Sequence, residues 1–111
     1  MSTFSIPSDP QPPVARAIVR EVGLRDGLQS IARVLPTAQK IEWVNAAYAA
    51  GQREIEVGSF VPARLLPQLA DTAELVAFAR TLPGLTVSVL APNLQGAGRA
   101  IDSGALRTLL P

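Results

Sequence analysis

A chain of 111 residues with 10 Lys+Arg against 9 Asp+Glu forms one small domain or part of a larger one, with a net charge of +1. It has no Cys and no His, which excludes disulfides, thiolate and imidazole metal ligands, cysteine nucleophiles and Ser-His hydrolysis. Charged residues reach 17% and hydrophobic residues 48%. Such a chain favours a core over a charged surface and carries no electrostatic footprint for nucleic acid.

Residues 1–13, MSTFSIPSDPQPP, hold four Pro and neither a basic segment nor an apolar one. They read as a flexible leader rather than a signal peptide, with the folded part at 14–111. No apolar run approaches the roughly 18 residues of a membrane helix, so no membrane partner is expected and the cytoplasm is the expected compartment.

The elements follow in order. Residues 17–22, AIVREV, read as a short strand, and GLRDGLQ as a loop punctuated by Gly23 and Gly27. Thr37 is placed as the N-cap of a helix over 37–50, with Ile41, Val44 and Tyr48 at helical spacing and Gly51 as its stop. EIEVGS at 54–59 reads as a second strand, with Ile55 and Val57 on one face and Glu54 and Glu56 on the other. After a Pro-containing loop, Asp71 and Glu74 form a capping-box pattern. Leu75, Phe78, Ala79 and Leu82 then follow a helical period up to Pro83-Gly84. TVSVL at 86–90 gives a third strand, 94–103 a weaker helix stopped by Gly104, and ALRTLLP the start of a fourth strand. The alternation β-α-β-α-β-α-(β) predicts an α/β fold with a parallel sheet and right-handed crossovers.

In parallel sheets, ligands bind beyond the carboxyl ends of the strands. Those positions hold Arg25-Asp26-Gly27, the segment from Glu56 to Phe60, and Pro92-Asn93. Arg25 offers a fork of donors to an anionic oxygen, and Asp26 a hard oxygen suited to Mg²⁺ or Mn²⁺. An Arg, two carboxylates and a divalent cation would stabilise an enolate-like oxyanion. Each residue also has a plainer reading. Arg-Asp-Gly is a common surface turn, Glu54 and Glu56 could be the solvated face of an edge strand, and Asn93 could simply cap a helix. Trp43 and Tyr48 read as packing residues. GLRDG and GAGRA match neither of the phosphate-cradling glycine patterns.

VREVGLRDGLQ (19–29), IEVGSFVPARLLPQLADTAEL (55–75) and VLAPNLQGAGRAIDSGA (89–105), in this order and spacing, resemble the hydroxymethylglutaryl-CoA lyase family. The resemblance implies a partial (β/α)8 TIM barrel, the first three βα units plus the start of strand 4. It implies a divalent-metal-dependent carbon–carbon lyase that cleaves 3-hydroxy-3-methylglutaryl-CoA to acetyl-CoA and acetoacetate. It further implies Arg25 and Glu56 as catalytic residues, Arg25, Gln29 and Asn93 as substrate contacts, Asp26 as the metal ligand, and an acyl-CoA as the partner. The family's metal site also uses a His-x-His pair and an Asn from late strands, so the Mg²⁺ or Mn²⁺ site is incomplete here and the isolated chain is expected to be inactive. The alternatives are a related acyl-CoA lyase or synthase of the same superfamily, or a non-catalytic half-barrel that self-associates into a homo-oligomer because its inner face would otherwise meet water.

Overall fold

The structure, a computed structural model, describes residues 19–105 and 107–109. The proposed leader at 1–13 lies outside these residues, as does the beginning of the first predicted strand.

Four parallel strands, β1 (Arg20–Glu21), β2 (Glu54–Ser59), β3 (Thr86–Leu90) and β4 (Arg107–Leu109), pair in the order β1-β2-β3-β4. Three helices, α1 (Thr37–Ala49), α2 (Thr72–Ala79) and α3 (Leu94–Ser103), fill the crossovers. A strand order that only advances, combined with right-handed crossovers, puts all the helices on one face of the sheet. One apolar cluster therefore forms between sheet and helices. Ile55, Val57, Val87 and Val89 meet Val44 of α1 and Leu75, Val76 and Ala79 of α2. Trp43 and Tyr48 are half-buried against it, as their helical spacing predicts.

The boundaries of β2, β3 and α3 match the sequence expectation, α1 ends one residue early, α2 ends at Ala79, short of the expected Pro83-Gly84, and β1 within the described residues covers only Arg20–Glu21 of the expected 17–22. Both helix stops are real left-handed turns, Gly51 at φ 101° and Gly104 at φ 85°. Three local expectations are corrected. Pro36, not Thr37, is the cap residue of α1, and the Thr37 hydroxyl instead donates 2.7 Å to Asp71 Oδ2. Asp71 does not cap α2 with its side chain, because both its oxygens are engaged by α1: Oδ1 accepts from Lys40 Nζ at 2.6 Å. GLRDG is not a loop but one turn of π-helix over Gly23–Gly27, closed by the Leu28 amide reaching back to Gly23 O.

The pairing of β2 with β3 slips between Glu56 and Gly58, a β-bulge that turns the end of β2. Gly58 is required there by close approach. A Cβ on it would stand 2.2 Å from Thr72 Oγ1, the hydroxyl that accepts from Ser59 N–H and donates to Leu69 O. Gly58→Ala is expected to destabilise the chain by about 2–3 kcal/mol, the cost of forcing extra volume against a tethered group. Urea unfolding followed by far-UV circular dichroism measures it, and a loss below ~0.5 kcal/mol would show that α2 moves away freely.

Candidate functional site at the carboxyl edge of the sheet

Because β1, β2 and β3 are parallel, the segments that follow them open on the same edge. The π-turn after β1 buries Leu24 completely and thereby orients its neighbours. The Arg25 guanidinium, at 19% exposure, points to Glu56 on β2, and its Nε donates to Glu56 Oε1. Glu56 is 1% exposed, so this carboxylate has left water and Arg25 supplies its counter-charge. Glu54 repeats the arrangement one pleat earlier. It is 3% exposed, accepts from Arg20 Nε, and receives the Ser88 hydroxyl at 3.2 Å.

Glu54 and Glu56 are therefore not a solvated face. β2 is an interior strand, and the sheet face away from the helices carries buried carboxylates roofed by arginines. Ser88 on the same face is also fully buried.

Asp26 sits beside the pair, its Oδ1 3.4 Å from Arg25 Nη1, with 68% exposure. The structure thus brings Arg25, Asp26 and Glu56 together. It does not bring Gln29 or Asn93 into contact with them. Gln29 has an exposed side chain, and its carbonyl accepts from Gln68 Nε2 at 3.2 Å. Asn93 caps α3, its Oδ1 accepting from Gly96 N–H at 2.8 Å. Among the described residues its amide nitrogen has no partner, and Asn93 lines a cleft of about 170 Å³ between the loop after β2 and the first turns of α3. Phe60, Pro62, Arg64, Gln95 and Arg99 line it too.

The donor set does not by itself fit a divalent cation. Among the described residues no three His, Cys, Asp or Glu side chains gather around one point. Asp26 is a single exposed carboxylate, and Glu56 is already neutralised by Arg25. Mg²⁺ parts with its water reluctantly and is not held by one such ligand.

Sequence reasoning missed Lys40. It is 1% exposed, and its Nζ donates 2.6 Å to Gln68 O and 2.6 Å to Asp71 Oδ1. Gln68 in turn donates to the carbonyls of Gln29 and Ile31, directly behind the π-turn. The signal was present: Lys40 precedes Val44 by four positions and shares its helix face.

This is an α/β protein whose parallel sheet gathers an arginine, two carboxylates and a cleft at its carboxyl edge. No family model matches the chain. In sequence it is 49% identical over 84 residues to the 3-hydroxy-3-isohexenylglutaryl-CoA/hydroxy-methylglutaryl-CoA lyase of Pseudomonas aeruginosa, covering 76% of this chain and 28% of that relative. A crystal structure of hydroxymethylglutaryl-CoA lyase from Pseudomonas aeruginosa superposes with a TM-score of 0.78 at 44% identity, over 84% of this chain and 31% of that one. The HMG-CoA lyase of Acinetobacter baumannii, solved in complex with coenzyme A and 3-methylmalate, gives a TM-score of 0.77 at 36% identity, over 84% and 30%. The chain is thus similar in sequence and in fold to hydroxymethylglutaryl-CoA lyases, and its sheet matches a piece of their barrel. It spans about a quarter to a third of the length of these relatives. Similar lyases are described as cytoplasmic in rat and mitochondrial in chicken. Among the described residues, no helix is long and apolar enough to cross a membrane.

Proposed function

We propose that this chain provides the N-terminal part of a hydroxymethylglutaryl-CoA lyase, comprising the first three βα units of a (β/α)8 barrel and the start of its fourth strand. The single observation that carries the proposal is the Arg25–Glu56 pair at the carboxyl edge, with Asp26 beside it. Cleavage of 3-hydroxy-3-methylglutaryl-CoA removes the proton of the tertiary hydroxyl, breaks the C–C bond to release acetoacetate, and leaves acetyl-CoA as its enolate, which is then protonated. Arg25 places a planar cation where that enolate oxygen develops charge, and such a donor gains most of its value in the transition state. Glu56 holds the guanidinium in place from within the sheet. Asn93 turns its unpartnered amide toward the substrate, and Gln29 is a supporting contact. Asp26 would contribute one ligand to the divalent cation that assists this chemistry, the others coming from outside these residues.

Two measurements test the reading. The 111-residue polypeptide is expected to release no acetoacetate above background, with or without Mn²⁺. Fused in frame to the remainder of the Pseudomonas aeruginosa lyase, it is expected to restore metal-dependent cleavage. In that fusion Arg25→Gln should lower kcat by about 10²–10³-fold, the loss typical of removing an oxyanion donor. A folded fusion that releases no acetoacetate from 3-hydroxy-3-methylglutaryl-CoA would overturn the proposal.

A further inference from the structure

We propose that Gln68 is a positioning residue for Arg25: it ties down the exit of the turn that carries Arg25 and Asp26, and Lys40 fixes Gln68 from behind. This role rests on the reading of Arg25 as the oxyanion donor and names what holds that donor still. A single helical turn bears the cost of nucleation without the gain of propagation, and the π form is rare even inside longer helices. The Gly23–Gly27 turn therefore depends on ties from outside it.

Its two ends are tied differently. At the entry, Glu21 Oε1 accepts from Gly23 N–H at 2.7 Å, and the Trp43 ring closes the side, since a Cβ on Gly23 would stand 2.5 Å from it. At the exit, Leu28 is the last buried side chain before Lys40, and residues 29–34 are all exposed. Among the described residues, Gln68 is the only side chain from another segment that hydrogen-bonds to 29–34. Its Nε2 donates 3.2 Å to Gln29 O and 2.9 Å to Ile31 O. A carboxamide suits this bridge because its one nitrogen carries two donors. Gln68 is 6% exposed, so water does not readily take over the bonds it makes.

Nor can Gln68 follow the turn. Its main-chain carbonyl accepts from Lys40 Nζ at 2.6 Å, and that buried ammonium is anchored on Asp71, whose other oxygen accepts from Thr37. Thr37 and Lys40 belong to α1 and Asp71 precedes α2, and both helices pack on the core. Arg25 is thus held from two sides. Glu56 in the sheet takes its Nε–H, and Gln68 keeps the segment behind it from sliding along the edge. A displacement of about 1 Å at a group that must meet a reacting atom costs on the order of 10²-fold in rate.

Exchange of arginine Nε–H with solvent, followed by ¹⁵N NMR of the 111-residue chain, tests the assignment. Arg20 is the internal control, because its Nε–H is bonded to Glu54 in the same way but lies on β1, ahead of the turn. Gln68→Met, which keeps a side chain of similar length and removes both donors, should quicken Arg25 exchange about tenfold relative to Arg20. Thr37→Val removes only the far end of the network. It should move the same ratio about twofold in the same direction, and it decides the matter if circular dichroism shows that Gln68→Met does not fold. Exchange that quickens equally at both arginines, or at neither, overturns the assignment. In the fusion to the remainder of the Pseudomonas aeruginosa lyase, Gln68→Met should lower kcat about tenfold with KM changed less than about twofold, because the donor it steadies acts chiefly in the transition state. Selective loosening of Arg25 with kcat unaltered would show that Gln68 holds the turn without serving the reaction, which overturns the role. An unsubstituted fusion without activity overturns the lyase reading alone, and the exchange ratio in the 111-residue chain then decides whether Gln68 positions Arg25.

Discussion

Arg25→Leu is expected to destabilise the chain by about 3 kcal/mol, more than the ~2 kcal/mol expected of Glu56→Leu, although the two substitutions break the same ion pair. The asymmetry follows from burial. Without Arg25, the Glu56 carboxylate is left at 1% exposure with neither counter-charge nor water. Without Glu56, the guanidinium keeps 19% exposure and Asp26 as a neighbour. The double substitution should recover most of the loss, because an apolar pair of similar volume replaces the charges without leaving either one stranded. Trp43 is the sole Trp and is half-buried against the core, so its fluorescence in urea reports the transition. Equal single losses that simply add would show that Glu56 finds its partner elsewhere and that Arg25 is not held by it.

Lys40→Met is expected to cost about 3 kcal/mol and to loosen a segment that Lys40 never touches. The substitution strands Asp71, at 14% exposure, and leaves Gln68 O without its donor. Gln68 is the link onward, since its amide holds the carbonyls of Gln29 and Ile31. Amide exchange should therefore quicken over residues 28–31 as well as around the Pro67–Leu69 turn. Asp71→Asn should cost at least as much, about 3 kcal/mol, because the Lys40 ammonium at 1% exposure then keeps a hydrogen-bond acceptor but loses its counter-charge. Exchange that quickens only next to Lys40, with residues 28–31 unchanged, would show that the chain of bonds through Gln68 carries no coupling.

Both predictions concern groups whose roles the linear pattern describes poorly. The alternation in EIEVGS locates β2 and separates its glutamates from Ile55 and Val57, and the structure keeps that separation. What the pattern cannot give is the environment of the polar face. Alternation looks the same whether that face meets solvent or two arginines from the preceding strand and turn. The Asp71–Glu74 spacing likewise fits a capping box, yet Lys40 and Thr37 reach Asp71 from 31 and 34 residues away and take its oxygens first. Asn93 shows the opposite case. Its cap is a contact over three residues, and short-range spacing was enough to find it.

By itself, the sequence determined the order and most of the boundaries of the elements, since periodicity, helix stops and turn residues act over a few positions. It also located the edge on which Arg25, Asp26 and Asn93 fall. Tertiary structure alone decided that Glu54 and Glu56 are buried, that the segment carrying Arg25 is a helical turn, and that a lysine lies inside the fold. The burial of the two glutamates and of the lysine depends on pairing a charge with groups about 30 residues distant, which no local pattern records.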